Sequence, residues 1–218
     1  GSRPVAQFGA PSPVARIERI FVTTEYAPDN LGPIFGEERP RGLNFLHMDV
    51  SIPPTHVPGT IEWPRGEPNA ATDFVVTGST RYRTMAEMVA RMRRAGAGDS
   101  VLFVPGYNST YSESLFRCAQ MRADFDLTAP GVLFAWPSAG DPRGYIYDRD
   151  SVLYSRDGLT GLIQALGAGN GRVTVLAHSM GSQLVMEGLR QLAVAGDRRT
   201  LNRIEAVVVM SPDIDPDL

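Results

Sequence analysis

Four short apolar runs follow one another in the second half of the chain, separated by stretches with helical periodicity. Each run is apolar at successive positions, as strands buried on both faces of a parallel sheet are. The predicted strands span 101–104, 131–136, 173–177 and 206–210, and the predicted helices span 111–125, 150–167 and 182–195. This alternation predicts right-handed βαβ crossovers, and therefore an α/β fold with a doubly wound, mostly parallel sheet.

The first hundred residues follow a less regular pattern. Segments 19–24 and 45–52 are predicted strands, whereas 27–44 and 53–72 are rich in Pro and Gly and are predicted long loops. A helix with methionines at positions 85, 88 and 92 is expected to end before the glycines at 96 and 98. We therefore expect residues 3–99 to form an irregular strand-and-loop lobe of the same domain, leading into an α/β core at 100–218.

Composition and charge narrow the function classes. A chain of 218 residues with 43% hydrophobic residues is typical of one globular domain. Its net charge of −3 argues against binding of a nucleic acid backbone. The single cysteine, Cys118, rules out an intramolecular disulfide and leaves the compartment open. No apolar run approaches the ~20 residues of a membrane span. Gly1-Ser2 is interpreted as the remnant of a cleaved tag, so a native leader or lipid anchor is not excluded.

The strongest chemical signal is Ala177-His178-Ser179-Met180-Gly181, which stands between a predicted buried strand and a predicted helix. In a nucleophile elbow the serine occupies a tight strand-to-helix turn, and the residues two before and two after it must be small. Ala177 and Gly181 meet that requirement. The alternative is an ordinary serine helix cap, but the strand-turn-helix context favours Ser179 as a nucleophile.

A second signal is Phe103-Val104-Pro105-Gly106-Tyr107-Asn108, at the end of an earlier predicted strand. Acyl transfer requires two N–H donors directed at the developing oxyanion, one from the residue after the nucleophile and one from such a strand-end loop. Met180 and Tyr107 occupy these positions. Without the elbow, the segment would be interpreted as a Pro-Gly turn.

These motifs, in this order, resemble a bacterial family of α/β hydrolases of unknown function that is similar to serine lipases and esterases. The resemblance rests on 103–108, on Phe134-Ala135-Trp136-Pro137-Ser138, on 145–148 followed by Ser151 and Ser155, on 177–181 and on 211–215. It also includes Val50-Ser51-Ile52-Pro53 with His56 and Gly59, and thus covers about residues 19–218. Pro105 replaces the histidine of the family's strand-end motif. The resemblance implies the α/β-hydrolase fold and favours an ester over an amide as substrate.

A general base for Ser179 is harder to find. His178 adjoins the serine and should point away from it, whereas His47 and His56 precede the nucleophile, against the chain order Ser, Asp or Glu, His of this fold. The three are interpreted as structural. Asp213 and Asp215 are candidates for the acid of a triad, or else they cap a loop. The resemblance implies a further strand and a catalytic histidine after residue 218, so we expect the C-terminal strands to be missing, through truncation, proteolysis or completion by a separate segment.

The sequence therefore predicts a serine hydrolase, of the esterase or lipase type, acting on a small-molecule ester through an acyl-enzyme on Ser179. Trp136, Tyr145 and Tyr147 are expected near the carboxyl edge of the sheet, where they line the substrate pocket or serve as core and lid packing. No cofactor and no metal site is predicted, because Asp213, Asp215 and Asp217 lack the remaining ligands of a calcium loop. Two alternatives stay open: a non-catalytic binding or envelope-associated module, and an acyltransferase. The oligomeric state is not predicted.

Overall fold

A computed structural model describes residues 3–25, 43–96, 98–106, 109–136 and 149–210, with only the backbone of 149–152. In chain order the elements are β1 (Arg16–Thr24), β2 (Asn44–Ile52), β3 (Val75–Tyr82), α1 (Met85–Arg94), β4 (Ser100–Val104), α2 (Tyr111–Asp124), β5 (Gly131–Ala135), α3 (Arg149–Leu166), β6 (Val173–His178), α4 (Met180–Val194), α5 (Arg198–Arg203) and β7 (Ile204–Met210). Every predicted helix and strand outside the undescribed segments is present, with ends that differ by at most three residues.

The described strands form one seven-stranded sheet in the order β3-β2-β1-β5-β4-β6-β7. β2 runs antiparallel to both neighbours, and the pairs from β1 to β7 are parallel. The expected mostly parallel α/β sheet is therefore confirmed. The N-terminal strands do not form a lobe beside it, however: β1 pairs directly with β5, so the first three strands extend the same sheet. The predicted loop at 53–72 is confirmed, and that at 27–44 falls almost wholly outside the described residues.

Helices cover both faces of this sheet, as a doubly wound fold requires. Alternate residues of the central strands point to opposite sides: Leu133 and Ala135 of β5 join the core under α2, whereas Val132 and Phe134 join the core under α1, α3 and α4. All four side chains are buried. The double burial of the central strands explains why their sequences are apolar without alternation.

β7 departs from the prediction that all four apolar runs are buried strands. It lies at one end of the described strand order, next to β6 alone, and Val208 and Val209 are 44% and 59% exposed. Its apolar sequence therefore does not correspond to burial among the described residues. Two elements were missed, the edge strand β3 and the short helix α5. Among the described residues, no helix has both the length and the apolar character needed to cross a membrane.

The loop that follows β2 is attached to α2 through His56. Its Nδ1 contacts the Glu62 carboxylate and its Nε2 lies 2.7 Å from Asp124 Oδ1. The second oxygen of Asp124 accepts a hydrogen bond from the Gly59 amide at 2.6 Å. Burial alone would lower the pKa of His56, but the hydrogen bonds to Glu62 and Asp124 outweigh it and raise that pKa above its usual value. The protonated imidazole therefore holds the loop onto the helix.

This arrangement makes a contribution to stability that depends on pH. Because the folded pKa of His56 is raised, its stabilising effect is complete below the unfolded pKa of about 6.5 and is lost as pH rises through the folded value. We expect His56→Gln to lower the free energy of unfolding by about 2 kcal/mol at pH 6 and by clearly less at pH 9. Urea unfolding at the two pH values measures the difference.

His47 provides the matched control, because burial lowers its pKa. For a histidine that folds in its neutral form, the stabilising contribution is present above pH 6.5 and is lost as pH falls. His47→Gln should therefore show the opposite trend, with the smaller loss at pH 6. Equal losses at both pH values for His56→Gln would contradict the ion-pair interpretation.

Candidate active site

Ser179 connects β6 to α4 in a strained backbone conformation. β6 ends at His178, α4 begins at Met180, and Ser179 between them has φ 53° and ψ −123°. Positive φ is uncommon for a residue with a Cβ and costs on the order of 1–3 kcal/mol. The side chain is exposed and makes no capping hydrogen bond to α4. The helix-cap alternative is therefore wrong, and the geometry is that of a strand-turn-helix elbow.

Two glycines allow the backbone to approach this turn closely. A Cβ on Gly181 would lie 2.4 Å from the carbonyl oxygen of Pro105 and 2.5 Å from that of Val104, which is well inside van der Waals contact. A Cβ on Gly106 would lie 3.2 Å from the Cβ of Ser179. The loop after β4 is thus in direct contact with the elbow. The small residue predicted at 181 is required, as expected; the contact of Gly106 with Ser179 was not predicted.

The site lies where the strand order changes direction. β5 is on one side of β4 and β6 is on the other, so the chain reverses its direction across the sheet between β5 and β6. Ligand sites of open α/β sheets form at the carboxyl ends of strands at such a point. Pro105-Gly106 and Ser179 follow the carboxyl ends of the two adjacent strands.

One predicted oxyanion donor is among the described residues. Met180 is the first residue of α4, so its N–H belongs to the first turn, whose amides have no partner within the helix. The positive end of the helix dipole also lies at this end. Ser182 stabilises the turn, since its hydroxyl donates to the Ser179 carbonyl oxygen at 2.5 Å. The other predicted donor, Tyr107, lies outside the described residues.

Trp136 differs from the other predicted pocket residues because its position is described. Its side chain is only 5% exposed and belongs to the core beneath α3 and α4. The indole Nε1 donates a hydrogen bond of 2.9 Å to the Pro105 carbonyl oxygen. These contacts favour the packing alternative over a pocket wall. Tyr145, Tyr147, Asp213 and Asp215 lie outside the described residues.

His47 and His56 lie far from Ser179 and are bonded to other residues. His47 lies on β2, four strand spacings or about 19 Å from β6, and its Nδ1 is bonded to the Tyr82 hydroxyl at 2.5 Å. His56 follows Ile52, which pairs with the first residue of β1 at the amino edge of the sheet. Ser179 lies at the opposite edge, where the parallel strands have their carboxyl ends. The structural interpretation of both residues is confirmed.

His178 packs against the loop after β4. Its Nδ1 lies 3.1 Å from the position of a Cβ on Gly106. Burial lowers the pKa of His178, and the positive charge of Arg117 lowers it further. The imidazole is therefore neutral at pH 7, and its Nδ1 lies next to Gly106.

Cys118 and the metal-ligating residue types are the other groups of the described ranges that could carry chemistry. Burial raises the pKa of the Cys118 thiol to about 12, so this cysteine is protonated and enclosed at neutral pH. Within the described ranges, no group of three or more His, Cys, Asp or Glu residues is arranged to hold a metal ion. Among the described residues, the turn after β6 brings together an exposed serine side chain and the backbone amides of the first turn of α4.

Comparison with known proteins agrees with this geometry. A family model described as alpha/beta hydrolase of unknown function (DUF900) matches residues 81–218. The match begins near the end of β3, after β1 and β2, and it includes β4, the elbow and β7. No curated protein and no solved structure matches the chain.

Proposed function

We propose, since the chain belongs to this family of alpha/beta hydrolases of unknown function, that it is a serine hydrolase which cleaves carboxylic esters through an acyl-enzyme on Ser179. The observation that carries the proposal is the strained elbow itself. The serine is exposed, has φ 53°, and makes no capping bond to the helix that follows. This backbone conformation costs stability, but it presents the hydroxyl as a nucleophile requires.

The proposed reaction begins when Ser179 Oγ attacks the ester carbonyl carbon and its proton passes to a general base. The oxyanion formed accepts hydrogen bonds from the backbone N–H groups of Met180 and Tyr107. Collapse of this intermediate breaks the ester C–O bond, and the alcohol leaves with the proton from the base. Water then repeats the sequence on the acyl-enzyme and releases the acid.

The base is the part of this proposal that the chain's three histidines do not supply. His47 and His56 are bonded to residues far from Ser179, and the neutral ring of His178 lies against Gly106 of the loop after β4. We therefore propose that an imidazole from further polypeptide, continuous or separate, acts on Ser179. Asp213 or Asp215 is its proposed acidic partner, because the segment bearing them follows β7, which is adjacent to β6.

A fluorophosphonate probe tests the nucleophile directly. In the native full-length protein we expect it to label Ser179, identified by mass spectrometry of the modified peptide, and we expect Ser179→Ala to lose the label. Ser79→Ala is the matched control, because Ser79 is an exposed serine on β3, at the other end of the sheet. It should label as the wild type does. Labelling that persists in Ser179→Ala would refute Ser179 as the nucleophile.

A second candidate function is a non-catalytic binding module that retains the hydrolase scaffold. The engagement of His47 and His56 in hydrogen bonds far from Ser179 favours it. The native full-length protein distinguishes the two: hydrolysis of a short-chain p-nitrophenyl ester, lost in Ser179→Ala, supports the enzyme. Neither hydrolysis nor labelling in that protein would support the module.

A further inference from the structure

Trp136 makes a polar contact from within an apolar core. Its side chain belongs to the same buried core as Val104, Ala177 and Leu184, beneath α3 and α4, and its indole N–H bonds to the Pro105 carbonyl oxygen. An indole N–H that is buried requires an acceptor. Here the acceptor belongs to the loop in contact with Ser179, 31 residues earlier in the chain.

The Pro105 carbonyl is bonded by Trp136 on one side and lies close to Gly181 on the other. Trp136 donates to its oxygen at 2.9 Å, and the same oxygen lies 2.4 Å from the position that a Cβ on Gly181 would occupy. It therefore lies between the indole and the first turn of α4. Because a peptide group is planar, fixing this carbonyl also fixes the direction of the Gly106 N–H on the opposite side of the bond. A Cβ on Gly106 would in turn lie 3.2 Å from the Ser179 Cβ, so this peptide is adjacent to the elbow.

We propose that Trp136 is a positioning residue, which fixes the loop after β4 in the orientation that stabilises the oxyanion at Ser179. This inference rests on the proposed function, because it assigns the loop to the oxyanion site. Trp136 does not contact the reacting atoms; it acts through the Pro105–Gly106 peptide. Without the indole N–H, the buried Pro105 carbonyl loses this bond, and the loop is free to rotate the peptide away from its catalytic orientation.

The first experiment compares Trp136→Phe with Trp63→Phe, which changes the chain's other tryptophan. Trp63 packs against Phe116 on the α2 side, with ring centroids 4.8 Å apart and the ring planes tilted by 34°. In the native full-length protein we expect Trp136→Phe to lower kcat for a p-nitrophenyl ester about 10- to 100-fold, with KM changed less than twofold, since only transition-state contacts are weakened. Trp63→Phe should leave kcat unchanged. An unchanged kcat in Trp136→Phe would overturn the inference while leaving the proposed function intact.

A second measurement keeps the inference testable if the ester is not hydrolysed or the phenylalanine variant does not fold. Replacement of Trp136 by 3-benzothienylalanine keeps the size of the ring system and removes only the N–H donor. In ¹⁵N NMR spectra we expect the amide resonances of Gly106 and Ser179 to shift in this variant. The same replacement at Trp63 should leave both resonances in place. Unshifted resonances would refute the positioning role, whether or not Ser179 is a nucleophile.

Discussion

Gly181→Ala is expected to destabilise the protein by about 3 kcal/mol and to remove the reactivity of Ser179. The added methyl group would lie 2.4 Å from the Pro105 oxygen and 2.5 Å from the Val104 oxygen, and both atoms belong to backbone rather than to movable side chains. Overpacking against rigid surroundings costs on the order of 1–3 kcal/mol or more. Relief requires α4 to move away from β4, and a displacement of about 1 Å at a catalytic site lowers rates on the order of 100-fold.

Gly161→Ala is the matched control for this substitution. Gly161 is also a helical glycine, in α3, but nothing lies within 4 Å of the position of its Cβ. The same methyl group should therefore stabilise the protein by about 0.5–1 kcal/mol, because alanine favours the helix. Urea unfolding of both variants, with fluorophosphonate labelling, measures the contrast. A Gly181→Ala variant as stable and reactive as the wild type would show that the turn tolerates a Cβ.

The sequence predicted the elements whose residues share one environment along their length. β5 is apolar throughout because both of its faces are buried, and α1 has the helical spacing of Met88, Val89 and Met92 on its buried face. The missed elements lack such a pattern. β3 places buried residues only at its first two positions and polar ones afterwards, and the six-residue α5 is fixed by Asp197 bonding to Thr200. Such elements depend on their neighbours in space, which one sequence does not show.

The candidate site also has features that the sequence predicted and features that it missed, and the difference is again whether they are local. The elbow was predictable because its requirements are local: a short turn between strand and helix demands small residues at 177 and 181. The bond from Trp136 to Pro105 and the contact of Gly106 with Ser179 join separate segments of the chain. The types of these residues do not by themselves predict the bond or the contact. The exposure of β7 was missed for the same reason, since an apolar run does not reveal whether both faces of its strand are covered.

Ser179→Gly is expected to give a more stable protein than Ser179→Ala, although both variants lose the proposed nucleophile. At φ 53° and ψ −123° a residue with a Cβ is strained by about 1–3 kcal/mol, whereas glycine is not. Glycine loses more conformational entropy on folding, which costs about 0.5–1 kcal/mol. The relief of strain is the larger effect, so we expect glycine to exceed alanine by about 1 kcal/mol in the free energy of unfolding.

Position 182 supplies the comparison that isolates this backbone effect. Ser182 lies in the first turn of α4, and glycine and alanine there both remove its hydroxyl bond to the Ser179 carbonyl. In a helix the order should reverse, with Ser182→Ala more stable than Ser182→Gly by up to about 1 kcal/mol. If the order at 179 is the same as at 182, the elbow is not strained. If glycine is favoured at 179 alone, the serine there is retained at a cost in stability, and kcat should fall on the order of 10⁶-fold in both variants at that position. Such a loss of stability is expected where the serine is needed as a nucleophile and glycine would fit the backbone better.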